Sequence, residues 1–472
     1  MFSTIVPAGI TRSRRAALAR AGCGFGAIAW AGLQAGTAPA STGPHLPHRA
    51  KRMIFLFMAG GVSQVDSFDP KPRLTADDGK QMPFGDLRSL AKTGTSPPQR
   101  VMKPLWRFAR RGESGLWVSD LFPEIAGIAD DLCVVRSLHT EGIAHGPATL
   151  FLHCGATTAV RPSLGAWLDY GLGTENTDLP GFVSLAPSLG NGGPRNHGTA
   201  FLPPIHQGTP IGRAGLPARE SGIRNLAPPR GGPLAAAGRE LLTGIGAAQA
   251  AARPGDAEIE AVIAAGELAA RMESVAPGVL DPAGETAETL ALYGIDGGPA
   301  DNFGRQCLLA RRLCEAGVRF VQVNYTDNSN NPAWDQHADM PKHALHARAT
   351  DRPVAALVRD LKRRGLLDDT IVWWGSEFGR TPYAQENGTG RDHNPAGFSV
   401  WVAGGGFRAG HAHGETDDFG HHAVVDRVHM HDLHATLFAA LGLDHTRLTF
   451  RHAGRDHRLT DVAGRVEGRL FA

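Results

Sequence analysis

The sequence predicts an α/β fold in which a mostly parallel β-sheet is covered by helices on both faces. Short, continuous apolar runs, such as residues 53–58 and 370–374, are typical of strands buried on both sides. Amphipathic segments lie between such runs and end at a glycine, as residues 302–316 do before Gly317. Strands that alternate with helices favour a parallel sheet between two helical layers.

The pattern places each element along the chain. Strands are predicted at residues 53–58, 132–135, 182–185, 318–323, 370–374 and 398–402. Core helices are predicted at residues 302–316, 353–364 and 431–441. Residues 188–232 are rich in Gly, Pro, Asn and Arg and predict long loops, while residues 233–292 have a helical pattern. We therefore expect one domain over residues 41–472, with an inserted, partly helical cap at about 187–300.

The first forty residues have the three parts of a twin-arginine signal peptide. Arg14 and Arg15 form the paired-arginine motif, residues 21–36 form a mild apolar run, and residues 38–40 form a small-x-small cleavage site. We therefore expect the twin-arginine export machinery to carry the folded chain to the periplasm or the exterior. A cofactor or metal that is loaded before export is a common reason for this route.

The charge of the chain gives no support for nucleic acid or anionic membrane as a partner. The formal net charge is +2, and residues 1–40 contain four arginines and no acid, so the remainder carries −2. No later stretch is apolar and long enough to suggest a membrane helix. The four cysteines after residue 40 form no CxxC pattern, and we expect buried free thiols.

Carboxylates and imidazoles gather at one edge of the predicted sheet, close to the ends of its strands. Ligands of open parallel sheets bind beyond the carboxyl ends of the strands. Each residue alone could equally be a turn, a helix cap or a solvated side chain. Together they suit a divalent metal, namely zinc, manganese, iron or calcium. The candidate metal ligands are Asp66, Asp69, Asp335, His337, Glu377 and His393.

Five long segments carry a resemblance to a known family. They include RMIFLFMAGGVSQVDSFDPKP at the first strand, RGLLDDTIVWWGSEFGRTP around Glu377, GRDHNPAGFSVWVAGGG around His393 and VHMHDLHATLFAALGLDH near the C-terminus. The chain resembles the secreted, sulfatase-like family catalogued as domain of unknown function 1501. The resemblance covers essentially the whole chain after residue 40, and it implies an alkaline-phosphatase-like α/β sandwich.

The wider superfamily suggests a role for each matching segment. Glu377 aligns with a metal-binding Asp of sulfatases, and Phe378 stands where a second polar residue is found. His393 resembles a metal-binding His of alkaline phosphatases, and Asp335 and His337 resemble an Asp and a His after the preceding strand.

The sequence departs from the sulfatase pattern at two places. Gly60-Gly61 replaces the Asp pair after the first strand, so that Asp66 or Asp69 would have to complete the metal site. His145 occupies the position of the Cys or Ser nucleophile, so no formylglycine can form there.

His145 and Arg380 are the candidate catalytic residues. His145 could be a nucleophile, a general acid/base, a metal ligand or a helix-capping residue. Arg380 could hold a substrate anion or form a structural ion pair. The histidine-rich tail, with His431 and His434 three residues apart on a helix, could be a second metal patch or a solvated surface.

Two main functions are compatible with these residues, and a metal-dependent transferase or mutase on the same fold is a third. The first is metal-dependent hydrolysis of an anionic sulfate or phosphate ester, either a small molecule or a glycan. The alternative is a non-catalytic binding or scaffold protein on a degenerate sulfatase fold, because the nucleophile and the Asp pair are missing.

Overall fold

The computed structural model describes residues 43–83, 99–223, 226, 233–385 and 389–472. The predicted signal peptide, residues 1–40, lies outside the described residues. The strands are β1 (Arg52–Met58), β2 (Arg100–Val101), β3 (Phe108–Arg111), β4 (Leu116–Ser119), β5 (Leu132–His139), β6 (Phe182–Leu185), β7 (Thr209–Ile211), β8 (Phe320–Tyr325), β9 (Thr370–Gly375), β10 (Gly379–Ala384), β11 (Arg391–Asn394), β12 (Phe398–Ala403), β13 (His411–His413), β14 (Glu415–Thr416), β15 (Ala423–Val425), β16 (Val428–His429), β17 (Phe450–His452) and β18 (Arg455–His457).

The helices, apart from short 3-10 turns, cover both faces of the sheet. They are α1 (Pro72–Ala76), α2 (Pro123–Ala126), α3 (His145–Cys154), α4 (Leu164–Leu172), α5 (Pro233–Ala252), α6 (Ala257–Leu280), α7 (Ala287–Leu292), α8 (Asp301–Glu315), α9 (His343–Arg363) and α10 (Met430–Ala440). Helix α9 begins ten residues before the predicted start, so Pro353 lies inside the helix rather than at its first turn.

A single mixed sheet forms the centre of the described residues and confirms the predicted α/β class. Its strand order is β13-β5-β12-β9-β1-β8-β6-β7, and β16 also pairs with β5. Strands β1, β6, β7, β8 and β9 are parallel to one another, whereas β12 runs antiparallel to both β5 and β9. The start of β12 therefore lies at the same edge of the sheet as the carboxyl ends of the parallel strands.

The residues of β1 alternate between two hydrophobic cores, one on each face of the sheet. Ile54 and Leu56 pack into the first core, with residues of α8 and α9. Phe55 and Phe57 pack into the second core, with residues of α3, α4 and α10. Burial on both faces explains why the strand is a continuous apolar run rather than an alternating one.

The region expected to be an inserted cap is partly joined to the core. Residues 209–211 form β7, which extends the central sheet beside β6. Helices α5 and α6 pack against each other as a hairpin, and most described side chains of α5 are exposed. Among the described residues, no helix is long and apolar enough to cross a membrane.

The four described cysteines, Cys133, Cys154, Cys307 and Cys314, are all buried free thiols, as the sequence predicts. Burial raises the pKa of Cys133 and Cys154 to about 12, which keeps these thiols protonated and chemically inert.

Candidate metal centre

Four side chains from three parts of the chain meet at the carboxyl edge of the sheet. His145 is the first residue of α3, Asp335 and His337 lie in the connection between β8 and α9, and His393 lies on β11. One ligand atom from each of them lies within 4.8 Å of the other three. This is the group of His, Cys, Asp and Glu side chains among the described residues that could hold a metal ion.

The four side chains converge on one carboxylate oxygen. Asp335 Oδ1 lies 3.1 Å from His145 Nε2, 2.8 Å from His337 Nε2 and 3.2 Å from His393 Nε2. The Nε2 atoms of His337 and His393 are 2.9 Å apart. The Nε2 atom of His145 is buried and has no hydrogen-bond partner of acceptable geometry. All three imidazoles thus present the same ring nitrogen to one point.

The other nitrogen of each imidazole is held by an oxygen. His145 Nδ1 lies 2.6 Å from Glu377 Oε1, and His393 Nδ1 lies 2.6 Å from the carbonyl oxygen of Ile143. His337 Nδ1 bonds Gln385 Oε1. Because a carboxylate or carbonyl oxygen can only accept, each Nδ1 is the donor in this arrangement, and each Nε2 offers a lone pair when its imidazole is neutral. Three Nε2 atoms and a carboxylate oxygen therefore face one another.

Charges around this cluster shift the pKa values of its members in opposite directions. Burial acts against ionisation of Asp335, but the three imidazoles and Arg380 outweigh it and hold the pKa of this carboxyl far below its usual range. Burial lowers the pKa of His393 to about 2. Burial also acts to lower the pKa of His145, but the carboxylates of Asp335 and Glu377 raise it overall.

Glu377 lies beside this group and supports it rather than belonging to it. Its carboxylate is completely buried and accepts bonds from the backbone N–H of Gly60, at 3.0 and 3.1 Å, and from Ser376 Oγ. Its contact with His145 Nδ1 fixes the orientation of that ring. Carboxylates that hold a metal-binding histidine in this way are common partners of metal sites.

Arg380 does not face an open anion site, as an arginine that holds a substrate would. It is fully buried, and its guanidinium donates to the carbonyl oxygens of Gly60, Gly61, Trp334 and Arg391. The same guanidinium lies 2.7 Å from Asp335 Oδ1. Its contacts match the structural ion pair that the sequence also allowed, and it ties the Asp335 segment to the end of β1.

Asp66 and Asp69 lie outside the group of four. Both oxygens of Asp66 are engaged, because Oδ2 pairs with Arg391 Nε at 2.8 Å and Oδ1 accepts the backbone N–H of Leu105. Asp69 contacts Lys71 Nζ at 3.1 Å and accepts a bond from Thr416 Oγ1. These contacts occupy the carboxylates that the sequence offered as additional ligands, so we leave both out of the site.

The glycine pair after β1 makes room for the site. A Cβ atom on Gly60 would lie 2.6 Å from the backbone nitrogen of Asp335, and one on Gly61 would lie 3.0 Å from Arg380 Nε. Both glycines have a positive φ, 117° and 84° respectively, which residues with a side chain rarely adopt. The departure from the Asp pair of sulfatases therefore lets the Asp335 segment and Arg380 approach the sheet.

Phe378 is part of the wall of the site. Its ring stacks on His393 at 4.4 Å between centroids and lies 5.0 Å from the ring of His145. The sequence showed only that Phe378 cannot be a polar ligand. The structure shows that it packs against two of the four side chains. His337, whose side chain is 28% exposed, is the most accessible of the four.

The helix-capping alternative for His145 finds no support in the geometry. The N-cap residue of α3 is Ala144, and no side chain caps this helix. The tail histidines are also not a solvated surface, because His413, His421, His431 and His434 are buried.

His431 and His434 do not form a metal pair. Their Nε2 atoms bond the carbonyl oxygens of Gly155 and Leu152 at the end of α3. Burial lowers the pKa of His431 to about 4 and that of His434 to about 3. Both side chains therefore join α10 to the C-terminus of α3 as neutral imidazoles.

Gln385 is a residue of the site that the sequence gave no means to find. It follows β10 and holds His337 Nδ1, but nothing in its local pattern separates it from an ordinary surface glutamine. The carbonyl of Ile143 could not be predicted from the sequence either, because every residue type supplies the same backbone acceptor.

Comparison with solved structures gives matches of low similarity. The crystal structure of Ps i-CgsB in complex with k-i-k-neocarrahexaose has a TM-score of 0.39 at 11% identity, over 84% of this chain and 74% of that chain. The PsFucS1 sulfatase from Pseudoalteromonas sp. has a TM-score of 0.33 at 13% identity, over 92% of this chain and 77% of that chain. Alkaline phosphatase from the Antarctic bacterium TAB5 has a TM-score of 0.31 at 10% identity, over 80% of this chain and 97% of that chain.

At these scores the similarities support no statement about activity, and the fold described above rests on the sheet itself. No curated protein matches the sequence at a significant level. A family model described as protein of unknown function (DUF1501) matches residues 50–470, and the chain belongs to that family.

Proposed function

We propose that the protein is an exported hydrolase that uses a divalent transition metal to cleave a sulfate or phosphate ester. The observation that carries the proposal is the convergence of three imidazole Nε2 atoms on Asp335 Oδ1, with each Nδ1 held by an oxygen. The Nε2 atoms of His337 and His393 lie 2.9 Å apart, and with both Nδ1 atoms protonated their lone pairs would repel each other unless a proton or a metal cation lay between them. A metal ion supplies that cation.

The set of donors favours a transition metal over calcium. Three imidazole nitrogens and one carboxylate oxygen suit zinc, manganese or iron, whereas calcium prefers oxygen ligands throughout. His145, Asp335, His337 and His393 would hold the ion, and Glu377, Gln385 and the carbonyl of Ile143 would orient the rings. When bound, such a metal polarises an ester oxygen and lowers the pKa of a water molecule.

The residues of the chain itself would prepare the site for an anionic ester. Helix α3 points its N-terminus at the cluster, where free backbone N–H groups favour a negatively charged ligand. Phe378 excludes water from one side of the imidazoles. Glu377 holds Nδ1 of His145, and Nε2 of the same ring faces Asp335 Oδ1. We therefore assign His145 to metal binding rather than to nucleophilic attack.

One feature favours the scaffold alternative. Four protein ligands fill a tetrahedral zinc site, and closed sites of this kind are structural rather than catalytic. A hydrolase would need either a fifth coordination position or the release of one ligand. His337 is the most exposed of the four, so its release from the metal would expose the least buried surface.

Elemental analysis and turnover together test the proposal. Purified protein should contain about one transition metal per chain and should hydrolyse members of a panel of aryl sulfates, aryl phosphates and sulfated glycans. The variant H393A should lose both metal and turnover, while H48A, which removes an exposed histidine far from the cluster in sequence, should keep both. Metal without turnover on the whole panel would favour the scaffold. Protein without metal that is stable in chelator would overturn the site.

Export by the twin-arginine route is a separate part of the proposal. Its support is the motif at Arg14 and Arg15 followed by an apolar run and a cleavage site. Replacing both arginines with lysine should leave the precursor in the cytoplasm, as fractionation would show. Unchanged delivery of that variant to the periplasm or medium would contradict this route.

A further inference from the structure

A groove lies on the face of the hairpin β3–β4. It has a volume of about 730 Å³ and is lined by three partly exposed aromatic side chains, Trp106, Phe108 and Trp117. In the hairpin register Arg110 pairs with Trp117, and Phe108 lies two residues along on the same face. The opposite face of the hairpin carries Leu116 and Val118, which are buried in the core. The aromatic face is thus the one turned away from the core.

Cations surround these aromatic rings. Lys71, Lys103, Arg107 and Arg136 line the groove, against two acids, Asp69 and Glu415. A smaller neighbouring cavity of about 370 Å³ shares Trp117 and adds Arg110, whose guanidinium lies 4.9 Å from the centre of that indole ring. The lining is therefore aromatic and net positive, in a chain that is close to neutral as a whole.

Several of these cations are not fully used by the protein. The Arg107 side chain is exposed and forms no ion pair with the residues that the structure describes. The closest acid to Arg136 is Glu415 at 3.9 Å, and the buried Nε atom of Arg136 has no hydrogen-bond partner. Lys103 is 58% exposed, and its partner among the residues that the structure describes is Asp78, which is itself 37% exposed. The exposed side chains of Arg107 and Lys103 are available to an anionic ligand.

We propose that this groove binds an anionic polysaccharide, with sugar rings against the aromatic side chains and sulfate or carboxylate groups paired with the cations. Flat aromatic faces pack well against the C–H faces of pyranose rings, and guanidinium and ammonium groups pair with sulfate and carboxylate oxygens. A nucleic acid would need a longer basic surface along its phosphates, which a near-neutral chain does not provide.

Buried contacts join the groove to the metal centre. Arg391 donates to the carbonyl oxygens of Met102 and Lys103, and Lys103 lines the groove. The carbonyl oxygen of Arg391 in turn accepts a bond from Arg380, which contacts Asp335. The groove would therefore hold a polymer on the same body as the metal site. That this polymer is also the ester substrate rests on the proposed function.

Equilibrium binding to fluorescein-labelled dextran sulfate tests the groove, with labelled neutral dextran and single-stranded poly-dT as comparisons. The double variant K103E/R107E should weaken dextran sulfate binding by at least about tenfold, and added salt should weaken wild-type binding. The variant F108A should also bind more weakly. The control R253E reverses an exposed charge between α5 and α6 and should bind as wild type does.

The outcomes are separable from those of the metal proposal. Binding should persist after chelator treatment, and K103E/R107E should retain any turnover of small aryl esters. A wild-type protein that binds dextran sulfate but hydrolyses no ester would contradict only the proposed hydrolase activity. Equal binding of dextran sulfate by wild type and K103E/R107E, or tighter binding of poly-dT than of dextran sulfate, would overturn the groove proposal.

Discussion

Replacing Glu377 with glutamine tests how the metal centre is supported. Glu377 is completely buried and uses its two oxygens on His145 Nδ1, the backbone N–H of Gly60 and Ser376 Oγ. Glutamine has nearly the same shape but replaces one acceptor oxygen with an NH₂ group. At the position of Oε1 that NH₂ faces the N–H of His145, and at the position of Oε2 it faces the hydroxyl of Ser376.

The structure sets the size of the expected effect. If the amide NH₂ faces His145, the ring must move its proton to Nε2, and one of the three lone pairs is lost. Removal of a partner that orients a metal ligand typically costs about 10–100-fold in metal affinity, or about 1.4–2.7 kcal/mol. If the NH₂ instead takes the position of Oε2, the Gly60 N–H keeps Oε1 as its acceptor, but the buried hydroxyl of Ser376 loses its own, which costs about 1–3 kcal/mol of unfolding free energy.

Competition with a chromophoric chelator gives the metal affinity of E377Q, and chemical denaturation of the metal-free protein gives its unfolding free energy. The control E288Q changes an 81% exposed glutamate and should match the wild type in both measurements. H337A, which removes a proposed ligand, should lose more affinity than E377Q. The reasoning is refuted if E377Q binds metal as tightly as the wild type and is equally stable.

Three further changes separate structural from metal-binding roles. D66N breaks the buried pair with Arg391 and should cost about 3–5 kcal/mol of unfolding free energy. Its metal content, measured by elemental analysis, should be unchanged. Loss of metal from a folded D66N variant would show that Asp66 is a metal ligand. G60A places a Cβ atom against the backbone of Asp335, in a backbone conformation that is unfavourable to alanine. The variant should therefore lose its metal and about 1–3 kcal/mol of unfolding free energy. A stable, metal-loaded variant would contradict this packing. Burial lowers the pKa of His434 to about 3, so the unfolded state binds more protons between about pH 6.5 and 3, and stability should fall as the pH falls. Denaturation at pH 7.5 and 5.0 should show H434Q losing about 2 kcal/mol less than the wild type, and equal losses would contradict the role of this imidazole.

The layers of the fold could be predicted from the sequence because burial leaves a direct pattern. β1 and β9 are buried on both faces and are therefore continuous apolar runs, and α8 and α10 end next to glycines. The direction of β12 leaves no such pattern. A wholly parallel sheet would place His393 at the far edge, and only the antiparallel course of β12 brings it to Asp335.

The candidate site was predictable as a neighbourhood but not as a set of contacts. Residue type and position after a strand indicated His145, Asp335 and His337, and the resemblance to alkaline phosphatases indicated His393. Nothing in those patterns reveals which atoms a side chain touches, and both Glu377 and Arg380 illustrate this. Glu377 is an equally good ligand by type, but the structure turns it toward the outer nitrogen of His145. Arg380 matches an anion-binding residue by type, yet backbone carbonyls occupy its guanidinium.

X-ray absorption spectroscopy at the metal edge, on protein purified from its native compartment, tests the central claim most directly. The account predicts about one zinc, manganese or iron per chain, bound by three imidazole nitrogens and a carboxylate oxygen at about 2.0–2.2 Å for zinc. A spectrum of this kind that disappears in H393A and persists in H48A would match the geometry of the cluster. A protein that carries no transition metal, or one whose metal has only oxygen ligands, would contradict it.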